Sequence, residues 1–212
     1  MEQGFDNFRT EAMPEPVGPA EESGGSEFWT FVRDVLETLV LAIIMFLVIN
    51  TVSARVRVDG SSMAPTLADG QFVMVNRLAY KFGEPSHGDI VVFRYPRDPE
   101  QDFVKRIIGL PGDTVEIRGG HVYVNGLQLE ESYIAAAARS QGSWTVPDDH
   151  LFVLGDNRNN SQDSRNFGFV SMDEVLGKAL FIYWPPTDWG SVIEHGIDGV
   201  IPTPMPTPYT TP

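Results

Sequence analysis

Asp102-Phe103-Val104-Lys105-Arg106-Ile107-Ile108 has the composition of a β-strand, and reading it as one decides the fold class of the chain. Side chains alternate across a strand, so Phe103, Lys105 and Ile107 share one face while Arg106 points to the other. Short runs of the same character, rich in β-branched and aromatic residues and bounded by turn formers, recur on both sides: residues 71–76, 89–94, 114–117, 121–125, 151–154 and 178–183. Gly119-Gly120 and Asn125-Gly126 are hairpin signals and predict a small meander over residues 114–130. Beyond the N-terminal region no helical period runs longer than about two turns. The sequence therefore predicts a mainly β domain over residues 55–195, an antiparallel sheet with barrel-like or Greek-key closure.

Toward the N-terminus the pattern changes. Val35 to Ala54 is nearly all apolar, unbroken from Leu39 to Ile49, with Glu37 its only charge. Twenty helical residues at 1.5 Å each cover about 30 Å, the thickness of a bilayer core, and Phe28 and Trp29 ahead of them suit an interfacial anchor. Residues 28–54 are thus predicted to form one transmembrane helix. A buried core helix is the bland alternative, but few core helices are apolar on every face. A cleavable secretory segment is the sharper one, because Val52-Ser53-Ala54 offers small residues in the cleavage positions; the acidic flank before the span opposes it, since such segments open with positive charge. The same triplet is a candidate for self-cleavage, between molecules rather than within one, because Ser62 stands only eight positions after Ala54. Residues 1–27, rich in Glu, Pro, Gly and Ser, read as a disordered acidic tail, and residues 196–212 as an extended Pro-rich tail. Arg55 and Arg57 follow the span, whereas Arg9 and Arg33 precede it among many acids. Taken alone, this charge pattern places the C-terminal domain in the cytoplasm.

The chain has 212 residues, enough for one ordinary domain with a packed core at 42% hydrophobic content. Fifteen Lys and Arg against twenty-nine Asp and Glu give a net charge of −14, which opposes nucleic-acid binding, or binding to anionic lipid through a broad basic face. The absence of cysteine removes disulfides, thiolate zinc sites and thiol nucleophiles. His87, His121, His150 and His195 have no ligand spacing, so a metal site is not expected.

Two hydroxyls, Ser61 and Ser62, sit in the turn Gly60-Ser61-Ser62-Met63-Ala64-Pro65-Thr66-Leu67 shortly after the span. A serine is a poor nucleophile without a base in hydrogen-bond reach. No histidine stands in a motif-like setting, and His87 reads as a turn residue. A lysine serves as base only when neutral, which demands apolar surroundings; lowering its pKa from about 10.4 to about 8 costs on the order of 3 kcal/mol of solvation. Lys105, between apolar neighbours, meets that demand, although a charge guarding an edge strand explains it equally well at this level. The polar run from Gly155 to Arg165 reads either as a solvated turn or as a loop whose hydroxyl orients the lysine.

Taken together, the 60–67 turn, Gly88-Asp89-Ile90-Val91-Val92-Phe93, Lys105 to Asp113, and Gly155 to Arg165 resemble the ordered motifs of bacterial type I signal peptidases, membrane-anchored serine proteases with a Ser/Lys dyad. The resemblance extends over residues 35–184, and four ordered motifs make it specific. It implies Ser62 as nucleophile, Lys105 as general base and Ser161 as the hydroxyl that orients the lysine. Asp163, Arg165 and Arg106 would form a structural ion-pair cluster. The oxyanion hole would comprise the Ser62 backbone N–H with Gly60, which replaces a serine found in one branch of the family. Val58, Met63, Leu67, Phe103 and Val104 would line apolar pockets for small residues of a signal peptide, the substrate binding as an added strand. The short segment from Asp113 to Leu151 resembles that of compact members. The resemblance further implies exported preproteins as substrates, no metal or cofactor, and a single-pass protein of the cell membrane with a cytoplasmic N-terminus and an extracytoplasmic catalytic domain, against the local charge signal. Two alternatives stand beside it: a self-cleaving repressor-type Ser/Lys protease, which the span and the lack of a DNA-binding segment oppose, and an inactive anchored β-domain that binds peptides.

Overall fold

The computed structural model describes residues 24–192. Most of the acidic tail expected over 1–27, the Pro-rich tail expected over 196–212, and His195 lie outside the described residues. Two units are distinguished, residues 1–46 and 47–212.

Helix α1 runs from Gly24 to Val52, so residues 24–27, expected in the tail, are helical instead. From Glu27 to Val52 it is long and apolar enough to cross a membrane. Two of its hydroxyls bond locally: Thr38 donates to the Asp34 carbonyl and Thr51 to that of Leu47, each at 2.8 Å. Neither side chain then needs a water partner.

The rest is antiparallel β-structure in two sheets, as expected. The strands are β1 (Ser53–Arg57), β2 (Phe72–Asn76), β3 (Ile90–Tyr95), β4 (Asp98–Gly109), β5 (Thr114–Arg118), β6 (His121–Val124), β7 (Leu127–Gln128), β8 (Gly142–Thr145), β9 (His150–Leu154), β10 (Val170–Ser171), β11 (Val175–Trp184) and β12 (Gly190–Ser191). Helices α2 (Ala79–Phe82) and α3 (Ser164–Phe167) are single turns. The larger sheet has the order β1-β2-β11-β3-β4-β9-β10, with β12 beside β11; the smaller is β7-β6-β5-β8, the expected meander joined by β8. The larger path is open, with β1 and β10 at its ends.

Strand β1 lies within and just beyond the stretch expected to be helical, since the apolar run continues through Ala54. The helix stops at Val52, and Ser53 and Ala54 pair with Asn76 and Val75 of β2. The switch from a continuous apolar run to alternation, with Ala54 and Val56 packed against the core and Arg55 and Arg57 between them, marks the change.

Three apolar clusters hold the sheets. One gathers Val58, Met63 and Leu67 from the turn after β1 with Val73, Val75, Val104 and Ile182. A second joins Val91 and Phe93 to Ile107, Leu151 and Val153, and a third fills the smaller sheet around Val115, Val122 and Phe152. Strand β4 contributes to both of the first two clusters, Val104 to one and Ile107 to the other, with Lys105 between them in sequence.

Candidate active site

The turn from Val58 to Gly70 is pinned at both ends and from within. Val58 N–H donates to Gln71 O and Gly70 N–H to Val58 O, both at 2.8 Å, while Leu67 N–H donates to Met63 O at 2.9 Å. Gly60 adopts φ +84°, a left-handed conformation that a side chain would strain. Its N–H donates to Asp69 Oδ1 at 2.7 Å. That bond engages the amide of the residue expected at the oxyanion hole. The Ser62 N–H, by contrast, makes no hydrogen bond among the described residues. The expectation for Leu67 is corrected: it is wholly buried in the core beside Val73 and does not line the groove described below.

Ser62 Oγ lies 2.8 Å from Lys105 Nζ, which also donates to Val104 O at 2.9 Å. The lysine side chain is buried beneath Phe103, with Nζ 5.0 Å from the ring centroid. Burial pushes its pKa down to about 8, although the carboxylates of Asp163 and Asp156 pull the other way. A solvated edge charge does not behave so, and the edge-guard reading of Lys105 falls on this burial.

The loop after β9 closes over the serine turn. Asn157 N–H donates to Ser62 O at 3.0 Å, Asn157 Nδ2 to Ser61 O at 3.1 Å and Asn160 Nδ2 to Ser61 Oγ at 2.9 Å. Ser61 is therefore a docking point for the loop. Asp163, fully buried, caps α3, accepts from Gly155 N–H at 3.1 Å, and receives both Arg165 Nε (2.8 Å) and Nη2 (2.7 Å). Arg106, expected in this cluster, pairs elsewhere: its Nε and Nη2 reach Asp156 at 2.8 and 2.7 Å. Strand alternation explains the difference, because Arg106 faces away from Lys105 and meets the start of the loop rather than its end. Ser161 is in place but does not make the expected bond; its Oγ is buried without a partner. A Cβ added at Gly155 would strike Ser161 Oγ and come within 2.5 Å of Ser62 O, so both groups crowd the space that a side chain there would fill.

Beside Ser62 runs a groove of about 640 Å³ between residues 55–59 and 100–105. Val58, Met63, Phe103 and Val104 line it, together with Gln162. Strand β1 pairs only with β2, and β4 pairs with β9 only from Arg106 onward, so unpaired backbone faces the groove from both sides. Such edges accept an extended peptide. Among the described residues no group of three or more His, Asp or Glu side chains is placed to hold a metal ion.

A family model for signal peptidase, peptidase S26, matches residues 32–184. The chain belongs to this family. It is 41% identical to a probable signal peptidase I-2 of Synechocystis, over 83% of each chain, and 39% identical to signal peptidase I S of Bacillus subtilis, over 72% of this chain and 91% of that one. A solved signal peptidase I from Enterococcus faecalis is 40% identical, covering 45% of this chain and 96% of its own, with TM-score 0.42. Sequence reasoning missed several residues that build the site in this signal peptidase family member. Thr66 Oγ1 donates to Asp156 Oδ2 at 2.5 Å, tying the Ser62 turn to the Arg106 pair. Tyr133 stacks on the Arg106 guanidinium at 4.0 Å, and Glu131 meets Arg158 at 2.6 Å, both charges out of solvent. Glu131 and Tyr133 come from the irregular segment between β7 and β8, where no period signals which side chains turn inward.

Proposed function

We propose that this chain is a membrane-anchored serine endopeptidase that removes signal peptides from exported preproteins after Ala-x-Ala-like sites, using Ser62 and Lys105. The observation that carries the reading is the 2.8 Å approach of Lys105 Nζ to Ser62 Oγ, with the amine buried enough to titrate near 8. The relatives' names supply the substrate class, and the two unpaired strand edges supply a place for an extended peptide.

In this mechanism the neutral Lys105 amine accepts the Ser62 hydroxyl proton while Oγ bonds to the carbonyl carbon at the scissile peptide. The resulting oxyanion faces the unengaged Ser62 N–H. When the C–N bond breaks, the Lys105 ammonium returns its proton to the leaving amine, and Ser62 holds the signal peptide as an ester. Lys105 then takes a proton from water as the water oxygen adds to the ester carbonyl carbon, and returns it to Ser62 Oγ as the ester C–O bond breaks and the new carboxyl group is freed. Asp69 holds Gly60 away from the oxyanion, so a second donor is supplied by solvent or substrate. In this reading Ser161 orients the amine, as the family resemblance implies, through a bond that its hydroxyl does not make in the substrate-free chain. Val58, Met63, Phe103 and Val104 set the preference for small side chains.

Helix α1 serves as the anchor. The catalytic domain lies on the outer face of the cell membrane, where signal peptides emerge, and the N-terminus is cytoplasmic. Mass spectrometry of a preprotein incubated with the full chain in detergent tests the activity: a single cut after a small residue is expected, lost in S62A and K105A variants that still fold. Full cleavage by either variant overturns the dyad. Protection of residues 55–192 from protease added outside intact cells would overturn the orientation.

A further inference from the structure

We infer that a cavity at the end of α1 binds the phosphate of an anionic phospholipid headgroup, an inference that rests on the reading of α1 as a membrane anchor. The cavity holds about 870 Å³, and its wall includes Leu47, Asn50 and Thr51 from the last turns of the apolar helix. Three cations share it: Arg77 just after β2, Lys81 on α2 and Arg94 on β3. All three are exposed, and none forms a side-chain hydrogen bond or ion pair among the described residues. Asp173 is the one acid in the wall. The nearby Asp89 carboxylate is already engaged, accepting from Lys178 Nζ at 2.5 Å and from the Tyr80 hydroxyl at 2.9 Å. Three free cations around one hollow are out of keeping with a chain of net charge −14.

Two further features select a lipid rather than a dissolved phosphate. Arg77 N–H donates to Val52 O at 2.9 Å, which fixes the backbone of one cation to the residue where the apolar helix stops. A span that ends there puts this cation at headgroup depth, where each basic residue gains from anionic lipid. Next to Lys81, Phe82 is 86% exposed on a single-turn helix, an aromatic ring left for an interface to cover. A cavity that sets three cations against apolar side chains, with a bare phenyl next in sequence to one of those cations, matches a diacyl phosphate, whose head and tails need both.

The full chain, purified in detergent micelles doped equally with phosphatidylglycerol and phosphatidylcholine, provides the test, with retained lipids counted by native mass spectrometry. Phosphatidylglycerol should be retained preferentially, and each of R77Q, K81Q and R94Q should weaken that preference roughly fivefold, the contribution of one basic residue at an anionic surface. The triple variant should show no preference while cleaving a short soluble peptide in detergent as wild type does. Should three changes together prevent folding, the single variants decide the matter. Equal retention of both lipids by wild type overturns the site, and displacement of phosphatidylglycerol by millimolar glycerol 3-phosphate or by an acidic peptide overturns the choice of a lipid. Flotation with pure phosphatidylcholine vesicles separates the two readings: a wild-type chain that does not float removes the anchor, whereas one that floats without headgroup preference removes only this site.

Discussion

The Arg106 guanidinium and the Asp156 carboxylate grip each other through two hydrogen bonds of 2.8 and 2.7 Å, directly behind the strand position that carries Lys105. Both side chains are out of solvent, and Thr66 from the Ser62 turn donates to the same carboxylate. Removing one partner of a buried pair leaves the other charge uncompensated, at a cost of about 3–5 kcal/mol. Asp156→Ala should therefore lower stability by that order in chemical denaturation, and the double change Arg106→Met with Asp156→Leu should cost less than the two single changes added together. Additive losses would mean that the pair is not coupled.

The lysine predicts a pH profile. Its pKa falls from 10.5 to about 8 in the folded chain, so the reactive amine is scarce at acid pH and complete above 8. Cleavage efficiency should rise about tenfold per pH unit below 8 and level off above it. A profile that stays flat from pH 6 to 8 would remove Lys105 as the base.

The same displacement bears on stability with a definite sign. Between about 8 and 10.5 the unfolded chain holds a proton on Lys105 that the folded chain has released, so stability rises with pH across that window. Below pH 8 the full penalty applies. Lys105→Met should accordingly stabilise the inactive protein at pH 7, by at most about 3 kcal/mol, with the gain shrinking as pH rises past 8. A destabilised variant at neutral pH would show that Lys105 contributes more by its contacts than it costs by its burial.

Ser161 should separate activity from stability. A buried hydroxyl without a partner is unfavourable by about 1–3 kcal/mol, so Ser161→Ala should leave the melting temperature unchanged or raise it while lowering kcat and shifting the pH midpoint of cleavage upward. An unaltered pH midpoint together with unaltered kcat would remove Ser161 from the positioning of the amine.

Gly155→Ala tests the closeness of loop and turn. The new methyl would meet the Ser62 carbonyl at 2.5 Å, and backbone cannot yield as a side-chain tip can. Cleavage should fall by about 100-fold, on the scale of a catalytic group displaced by roughly 1 Å, with substrate binding less affected. Wild-type turnover would show that the loop has room to withdraw.

The strands rich in β-branched and aromatic residues were legible because alternation and turn formers both mark them; β4 and the meander are found where the pattern places them. Ser62 and Lys105 could be named by motif, and each needs only its own strand or turn to be placed. What was illegible depends on partners distant in sequence. Nothing local assigns Arg106 to Asp156 rather than Asp163, or Leu67 to the core rather than the groove, because each outcome turns on which face of a neighbouring element lies opposite. Asp69 is similar: an acid after a turn is ordinary, and only the left-handed Gly60 N–H makes it a clamp.

Strand β1 carries one more consequence. Ser53 and Ala54, the small residues that look like a cleavage site, are registered against Asn76 and Val75. A protease that reads its substrate as an unpaired extended strand meets here a sequence already zipped into its own sheet. Cutting it would first require those pairs to open, so self-cleavage after Ala54 should be slower in the folded chain than in one unfolded beforehand.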